Sequence, residues 1–154
     1  MRKKTAALAV LVLLIFPALV NAQSIKGRLG LGLNYPGVSA RYGLSNKFAL
    51  ELKGQFGSGV TVFGPRAYYY FSTDSKVCLF AGAELDYVSF KGDVSSGGGI
   101  AVEPFLGGDY FISKHLALGL DIGPAFIAIS DKDTDESVSG MEFVANINIT
   151  WYLW

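Results

Sequence analysis

The stretch that most constrains the fold is 141–154, where apolar residues alternate with mostly polar ones. Its apolar set is Met141, Phe143, Ala145, Ile147, Ile149, Trp151 and Leu153. Successive side chains of a strand point to opposite sides, so this alternation predicts a β-strand with one apolar face. We expect this last strand to pair along both edges, with the first strand as its second partner, which closes a barrel.

Seven further runs with the same alternation precede this one. We place them at 25–34, 38–44, 48–56, 60–71, 77–90, 100–112 and 116–129, with turn-forming residues between them. Residues 91–99 and 131–140 are interpreted as longer loops. Three hairpins, within 41–51, 68–84 and 109–121, look like copies of one unit, and repeated hairpins build an up-and-down meander. The sequence therefore predicts an all-β, eight-stranded antiparallel transmembrane barrel.

The N-terminus has the features of an export signal. Basic residues at 2–4 precede an apolar run at 5–20 and compact residues before Gln23. This run of 16 residues is shorter than the ~20 that a spanning helix needs. We expect residues 1–22 to be cleaved as a signal peptide and 23–154 to form one barrel domain; an uncleaved anchor is the alternative. Without the signal, 10 basic residues face 13 acidic ones, which gives no support for a nucleic-acid partner.

The positions of the charged residues indicate which face of the strands points into the barrel. Those within the runs all lie opposite the apolar face: Lys26, Arg28, Arg41, Glu51, Lys53, Arg66, Glu84, Asp86, Glu103, Asp109, Asp121 and Glu142. The same face carries many glycines, which a solvated face does not need but the crowded bore of an eight-stranded barrel does. This favours a membrane barrel with charges inside over a water-soluble barrel with an apolar interior.

Two groups of side chains are predicted to have structural roles. A lumen charge network should comprise Arg28, Arg41, Glu51, Lys53, Arg66, Glu84, Asp86, Glu103 and Asp121, because buried charges must find partners. We expect Arg66 to lie within ion-pair distance of Glu51, Glu84 or Asp86. An aromatic girdle near the strand ends should comprise Tyr42, Phe48, Tyr69, Phe71, Tyr110 and Trp151.

In architecture, with its signal, eight strands and aromatic terminus, the chain resembles the small eight-stranded outer-membrane barrels of Gram-negative bacteria, the OmpA/OmpX-like group. The resemblance covers the whole mature chain. It implies the bacterial outer membrane as location, outer-membrane lipid as surroundings, and recognition by the outer-membrane assembly machinery. Trp154 departs from the usual terminal signal because it lies on the parity opposite to the apolar face.

A structural or surface-interaction role is the function that these patterns favour, with a narrow ion or small-solute channel as the alternative. A lipid-modifying enzyme is less well supported, since the single histidine, His115, falls in a short turn on the predicted periplasmic side. Asp131, Asp133, Asp135 and Glu136 resemble a calcium loop but lack its glycine and terminal glutamate. We therefore predict no catalytic residue, no cofactor and no metal site.

Two features of the runs lead to further expectations. The last four runs are longer than the first four, so they should rise above the membrane and offer a protein partner a sheet edge at the outer rim. Pro65, Pro104 and Pro124 lie inside runs, where a proline cannot donate to the ladder. We expect a belt of bulges or missing ladder bonds at these three positions.

Overall fold

The described part of the computed structural model, residues 24–73, 75–92, 96–134 and 136–153, forms eight strands. They are β1 (Leu29–Asn34), β2 (Gly37–Gly43), β3 (Phe48–Gly57), β4 (Val60–Tyr70), β5 (Val77–Lys91), β6 (Ser96–Phe111), β7 (Leu116–Asp131) and β8 (Ser137–Tyr152). Each pairs with its neighbours in sequence, and β1 with β8, in a closed antiparallel ring. The predicted eight-stranded up-and-down barrel is confirmed. The proposed signal, 1–22, and Trp154 lie outside the described residues.

The strands are inclined to the barrel axis. Cross-strand partners followed from Leu33 once around the ring are Val38, Gly54, Phe63, Tyr87, Ile100, Ala128 and Ser139. The path therefore ends at Ser139 of β8. Leu33 itself pairs with Ile149 of the same strand, which is ten residues away from Ser139. This shear of ten in eight strands corresponds to a tilt of about 40°. No helix in the described ranges is long and apolar enough to cross a membrane.

We call the end with the β2–β3, β4–β5 and β6–β7 connections the lower end of the barrel. There β1 begins four residues later than predicted, because a tight turn precedes it. Arg28 N donates to Ile25 O (3.1 Å) across this turn, and Gly27 adopts a φ of 73°, a region that favours glycine. Ile25, predicted on the outward apolar face, is only 1% exposed and packs inside the lower mouth. That prediction was wrong because the turn reverses the chain before the alternation begins.

At the opposite, upper end, β5 to β8 are 15 or 16 residues long, whereas β1 and β2 have six and seven. Residues 96–99 and 137–140, interpreted from sequence as loops, are strand. A Cβ on Gly99 would lie 2.7 Å from the Cα of Ile129, and one on Gly97 would lie 2.5 Å from the Phe90 ring. The glycines thus allow neighbouring strands to approach closely, and they extend the sheet rather than end it.

The three prolines interrupt the ladders without shifting their register. Pairing of β4 with β5 stops after Phe63 and resumes at Arg66, on either side of Pro65. Pairing of β6 with β7 stops at Val102 and resumes at Leu106, where Pro104 and Pro124 lie opposite each other. The prediction of bulges or missing ladder bonds is confirmed in its second form, because the ladders are interrupted without a shift in register. The register continues unchanged because a proline removes a donor without adding a residue.

Candidate functional site

Arg41 lies at the centre of a buried polar cluster in the lower bore. Its Nε is 2.6 Å from Glu51 Oε2, and its Nη1 is 2.7 Å from Asp109 Oδ2. It also donates to the hydroxyls of Tyr68 (2.9 Å) and Tyr70 (3.0 Å), and Tyr70 Oη donates in turn to Asp109 Oδ2 (2.7 Å). Since Arg41 is 1% exposed, these partners replace the water that its guanidinium has lost.

Arg66 forms a second centre beside the first. Cross-strand register places Glu51, Arg66 and Glu84 side by side on β3, β4 and β5. Arg66 Nε is 2.9 Å from Glu84 Oε2, and Nη2 is 2.8 Å from Asp121 Oδ1 on the far wall. Lys53 also pairs with Glu84. One guanidinium on β4 therefore binds a carboxylate of the neighbouring strand β5 and one of the more distant β7, which connects non-adjacent strands through the bore.

Aromatic rings fill the space that the ion pairs leave. Tyr68, Phe80 and Phe105 contact one another, with ring centroids 5.1 to 6.1 Å apart and edge-to-face geometry. The guanidinium of Arg41 stacks 4.1 Å from the Tyr68 ring and that of Arg66 4.2 Å from the Phe105 ring. All five side chains are at most 2% exposed, so the lower bore is packed solid.

Glycines make room for this packing. A Cβ added to Gly82 would lie 2.5 Å from the carbonyl oxygen of Ala67 and would overlap the Phe105 ring. A Cβ on Gly107 would lie 2.7 Å from Phe80. The abundance of inward glycines therefore has a steric cause, as the sequence suggested.

The remaining residues predicted for the network occupy different surroundings. Asp86 and Glu103 are buried at its upper edge, and no lysine or arginine among the described residues lies within ion-pair distance of them. Arg28 precedes β1 and lies at the lower mouth, where it donates to Lys114 O and stacks over the Tyr152 ring. It lies there rather than among the other charges because the turn at Gly27 ends just before it.

Some members of the cluster were absent from the predicted network. Asp109 is 0% exposed and pairs with Arg41, and the hydroxyls of Tyr68 and Tyr70 complete the same cluster. Asn146 donates to Asp121 Oδ1 (2.9 Å). All four share the inward parity of their strands, and this was the signal that could have included them.

The aromatic residues predicted as a girdle point outward around the lower end. Tyr42, Phe48, Tyr69, Phe71 and Trp151 are exposed, and Tyr110 is half-buried. Phe48 and Tyr69 are cross-strand partners with ring centroids 5.1 Å apart. A second set of outward aromatics occurs nearer the upper end: Phe56, Phe63, Tyr87, Phe126 and Phe143.

The residues considered for catalysis or calcium have structural contacts. Nδ1 of His115 lies 3.0 Å from the carbonyl oxygen of Tyr152, and its ring stacks on Trp151. Asp133 accepts bonds from the backbone N–H (2.7 Å) and hydroxyl (3.0 Å) of Ser96, which fastens the β7–β8 loop to β6. Within the described ranges, no group of three or more His, Cys, Asp and Glu residues is arranged to hold a metal ion. Asp135 lies outside those ranges.

Comparisons with known proteins show the fold. No protein-family model matches the sequence, and no curated protein matches it. Among solved structures, the chain is similar to the crystal structure of the N-terminal β-barrel domain of Pseudomonas aeruginosa OprF. The TM-score is 0.51 at 13% sequence identity, covering 82% of this chain and 94% of that one. The likeness confirms the barrel fold that the resemblance to small eight-stranded barrels implied.

Proposed function

We propose that the chain is an integral protein of the bacterial outer membrane with a closed lower lumen and no catalytic role, and that it acts through contacts at its upper rim. The main observation that supports this proposal is that the outer face of the barrel is apolar and the inner face is charged. Outward side chains such as Leu52, Leu106 and Leu120 are 54 to 61% exposed, whereas the charged residues of the bore are buried. A soluble protein does not expose a continuous apolar wall of this kind, but lipid covers one.

The spacing of the outward aromatics supports this location. Because the strands are tilted, cross-strand partners rise steadily around the ring, and the height of each residue along the barrel must be corrected for this rise. After this correction, the members of each aromatic set lie at the same height to within about two residues. The levels are about eight residues apart along the strands, which at ~3.3 Å per residue and a tilt of ~40° gives roughly 20 Å. That separation suits aromatic girdles flanking an apolar band ~25 Å tall.

The upper rim supports a role in surface contacts. β1 meets β8 only from Asn148 to Tyr152, so the edge of β8 from Ser137 to Ile147 has no β1 partner. Both faces of its uppermost part, 137–143, are exposed. An extended segment of a partner protein could add to such an edge as a further strand. We propose outer-membrane lipid, the assembly machinery and one protein at this edge as the partners.

Cysteine labelling of intact bacterial cells tests the location and the orientation. Lys132→Cys, in the β7–β8 loop, should react with a membrane-impermeant maleimide on whole cells. Lys114→Cys, in a lower turn, should react only after the cells are lysed. The wild-type chain is the matched control, because its single cysteine, Cys78, is 0% exposed. Labelling of Lys114→Cys on intact cells, or recovery of the protein in the soluble fraction, would contradict the proposal.

A further inference from the structure

The bore buries more acid than base, and the excess is concentrated at one place. Among the described residues, three cationic side chains and six carboxylates are buried there, and four of those carboxylates form ion pairs. Asp86 and Glu103 form none, although they are only 7% and 4% exposed. Oε1 of Glu103 has no hydrogen-bond partner in the described structure. A buried carboxylate without a partner is costly, so this position favours a positively charged ligand.

The inner wall changes character directly above these two acids. The next inward residues on β4, β5, β6 and β7 are Val62, Val88, Ala101 and Ile127, all apolar. Val62, Val88 and Ile127 are only half-buried, in contrast to the solid packing of the lower bore. The upper lumen is therefore a less tightly packed chamber with an acidic floor and with apolar walls on β4 to β7.

The chamber also opens sideways. β1 and β2 end at Asn34 and Gly37, while β3 and β8 on either side of them continue upward. In the part of the chain that the structure describes, the wall thus has a gap between β3 and β8. In a ring of eight strands this gap faces β5 and β6, the strands that carry Asp86 and Glu103. The turn at 35–36 lies below the upper aromatic set, so the gap begins just below the level of those aromatics.

We infer that the upper lumen binds a cationic amphiphile, a long-chain primary amine that enters through the gap between β3 and β8. The ammonium group meets Asp86 and Glu103, and the hydrocarbon chain lies against Val62, Val88 and Ile127 and leaves through the gap. The ammonium supplies the charge that the two acids lack, and the chain covers apolar surface that water would otherwise wet. The entry route rests on the proposed membrane location, because only then does the gap meet the outer leaflet.

Binding is tested with the full barrel in nanodiscs of zwitterionic lipid, using dodecylamine that carries a nitroxide on its terminal carbon. Paramagnetic broadening of the methyl signals of Val62, Val88 and Ile127, measured by NMR, reports on occupancy. Outward methyls near the lower end, such as Leu118, correct for partitioning of the probe into lipid. We expect the double variant Asp86→Asn with Glu103→Gln to bind at least about tenfold more weakly. Glu136→Gln, an exposed loop residue, should bind like wild type.

Probes with different head groups distinguish specific binding in the chamber from partitioning of the probe into the lipid. Spin-labelled dodecanol and laurate have the same chain without the positive charge, and both should leave the chamber methyls sharp. Equal broadening by dodecanol, or unchanged affinity in the double variant, would overturn the inference. In either case a barrel that is folded and inserted leaves the proposed function intact, whereas failure to insert into nanodiscs would count against the proposed function itself.

Discussion

At the scale of the residue, a charged side chain in this barrel depends on partners contributed by other strands. Arg66 is the clearest case, because its guanidinium lies within 4 Å of carboxylates from β3, β5 and β7 and is 1% exposed. The attraction within such a cluster largely compensates for the lost hydration of its members. Removal of the arginine would leave Glu51, Glu84 and Asp121 close together, with less positive charge to hold them.

Arg66→Met should therefore lower the free energy of unfolding by about 3–5 kcal/mol, the range found when one partner of a buried ion pair is removed. Urea unfolding in lipid vesicles, followed by tryptophan fluorescence, measures this change. Arg28→Met is the matched control: Arg28 is half-buried at the lower mouth, and we expect its loss to cost about 1 kcal/mol. Similar losses in the two variants would show that the Arg66 cluster does not stabilise the barrel.

At the scale of the element, β8 is a strand with two different halves. Tyr152 N donates to His115 O next to β7, and Leu153 N donates to Leu29 O next to β1. Because backbone groups alternate sides, even-numbered residues of β8 bond towards β7 and odd-numbered ones towards β1. Above Ile147, β1 is no longer present, so the odd-numbered N–H groups face the open edge.

Amide hydrogen exchange in micelles should show this alternation in the upper half of β8. We expect Gly140 and Glu142 to exchange at least about 100-fold more slowly than Ser139 and Met141. In the lower half, Asn148 and Ile149 should both be protected, since β1 and β7 are present on either side. Slow exchange at Ser139 and Met141 would mean that another segment covers the edge.

Sequence alternation predicted the existence, order and inward face of every strand, because a period of two is a local property of the chain. It failed where the outcome depends on contacts between distant segments. The glycines at 97–99 resemble a loop until neighbouring strands are seen to approach them closely. The lack of an ion pair for Asp86 and Glu103 among the described residues is equally hidden, because it depends on the register between strands and on the reach of side chains across the bore.

At the scale of the whole molecule, the packed lower bore separates a closed barrel from a channel. Tyr68, Phe80 and Phe105 lie across the lumen together with both arginine centres, and all are at most 2% exposed. In planar bilayers the wild-type barrel should show no steady conductance steps. The double variant Phe80→Ala with Phe105→Ala removes two of the rings and should conduct.

A matched control for that measurement removes two rings from the outside. Phe48→Ala with Phe71→Ala changes outward aromatics only, and it should remain closed. Gel electrophoresis verifies that each variant is folded before it is measured, because the unfolded barrel migrates more slowly than the folded one. Steady steps in the wild-type chain would favour the narrow channel over a closed lumen.

The short pairing between β1 and β8 has a kinetic consequence. Every other ladder joins strands adjacent in sequence, so seven hairpin interfaces can form from nearby residues. The β1–β8 ladder spans only Gly30–Asn34, whereas β7 and β8 pair along nearly their whole length. It also brings together segments more than 110 residues apart, and the entropy of that loop must be lost before any bond compensates for it. Ring closure should therefore be the slowest step of folding, and mutations in 30–34 should slow it more than equally destabilising mutations in β6.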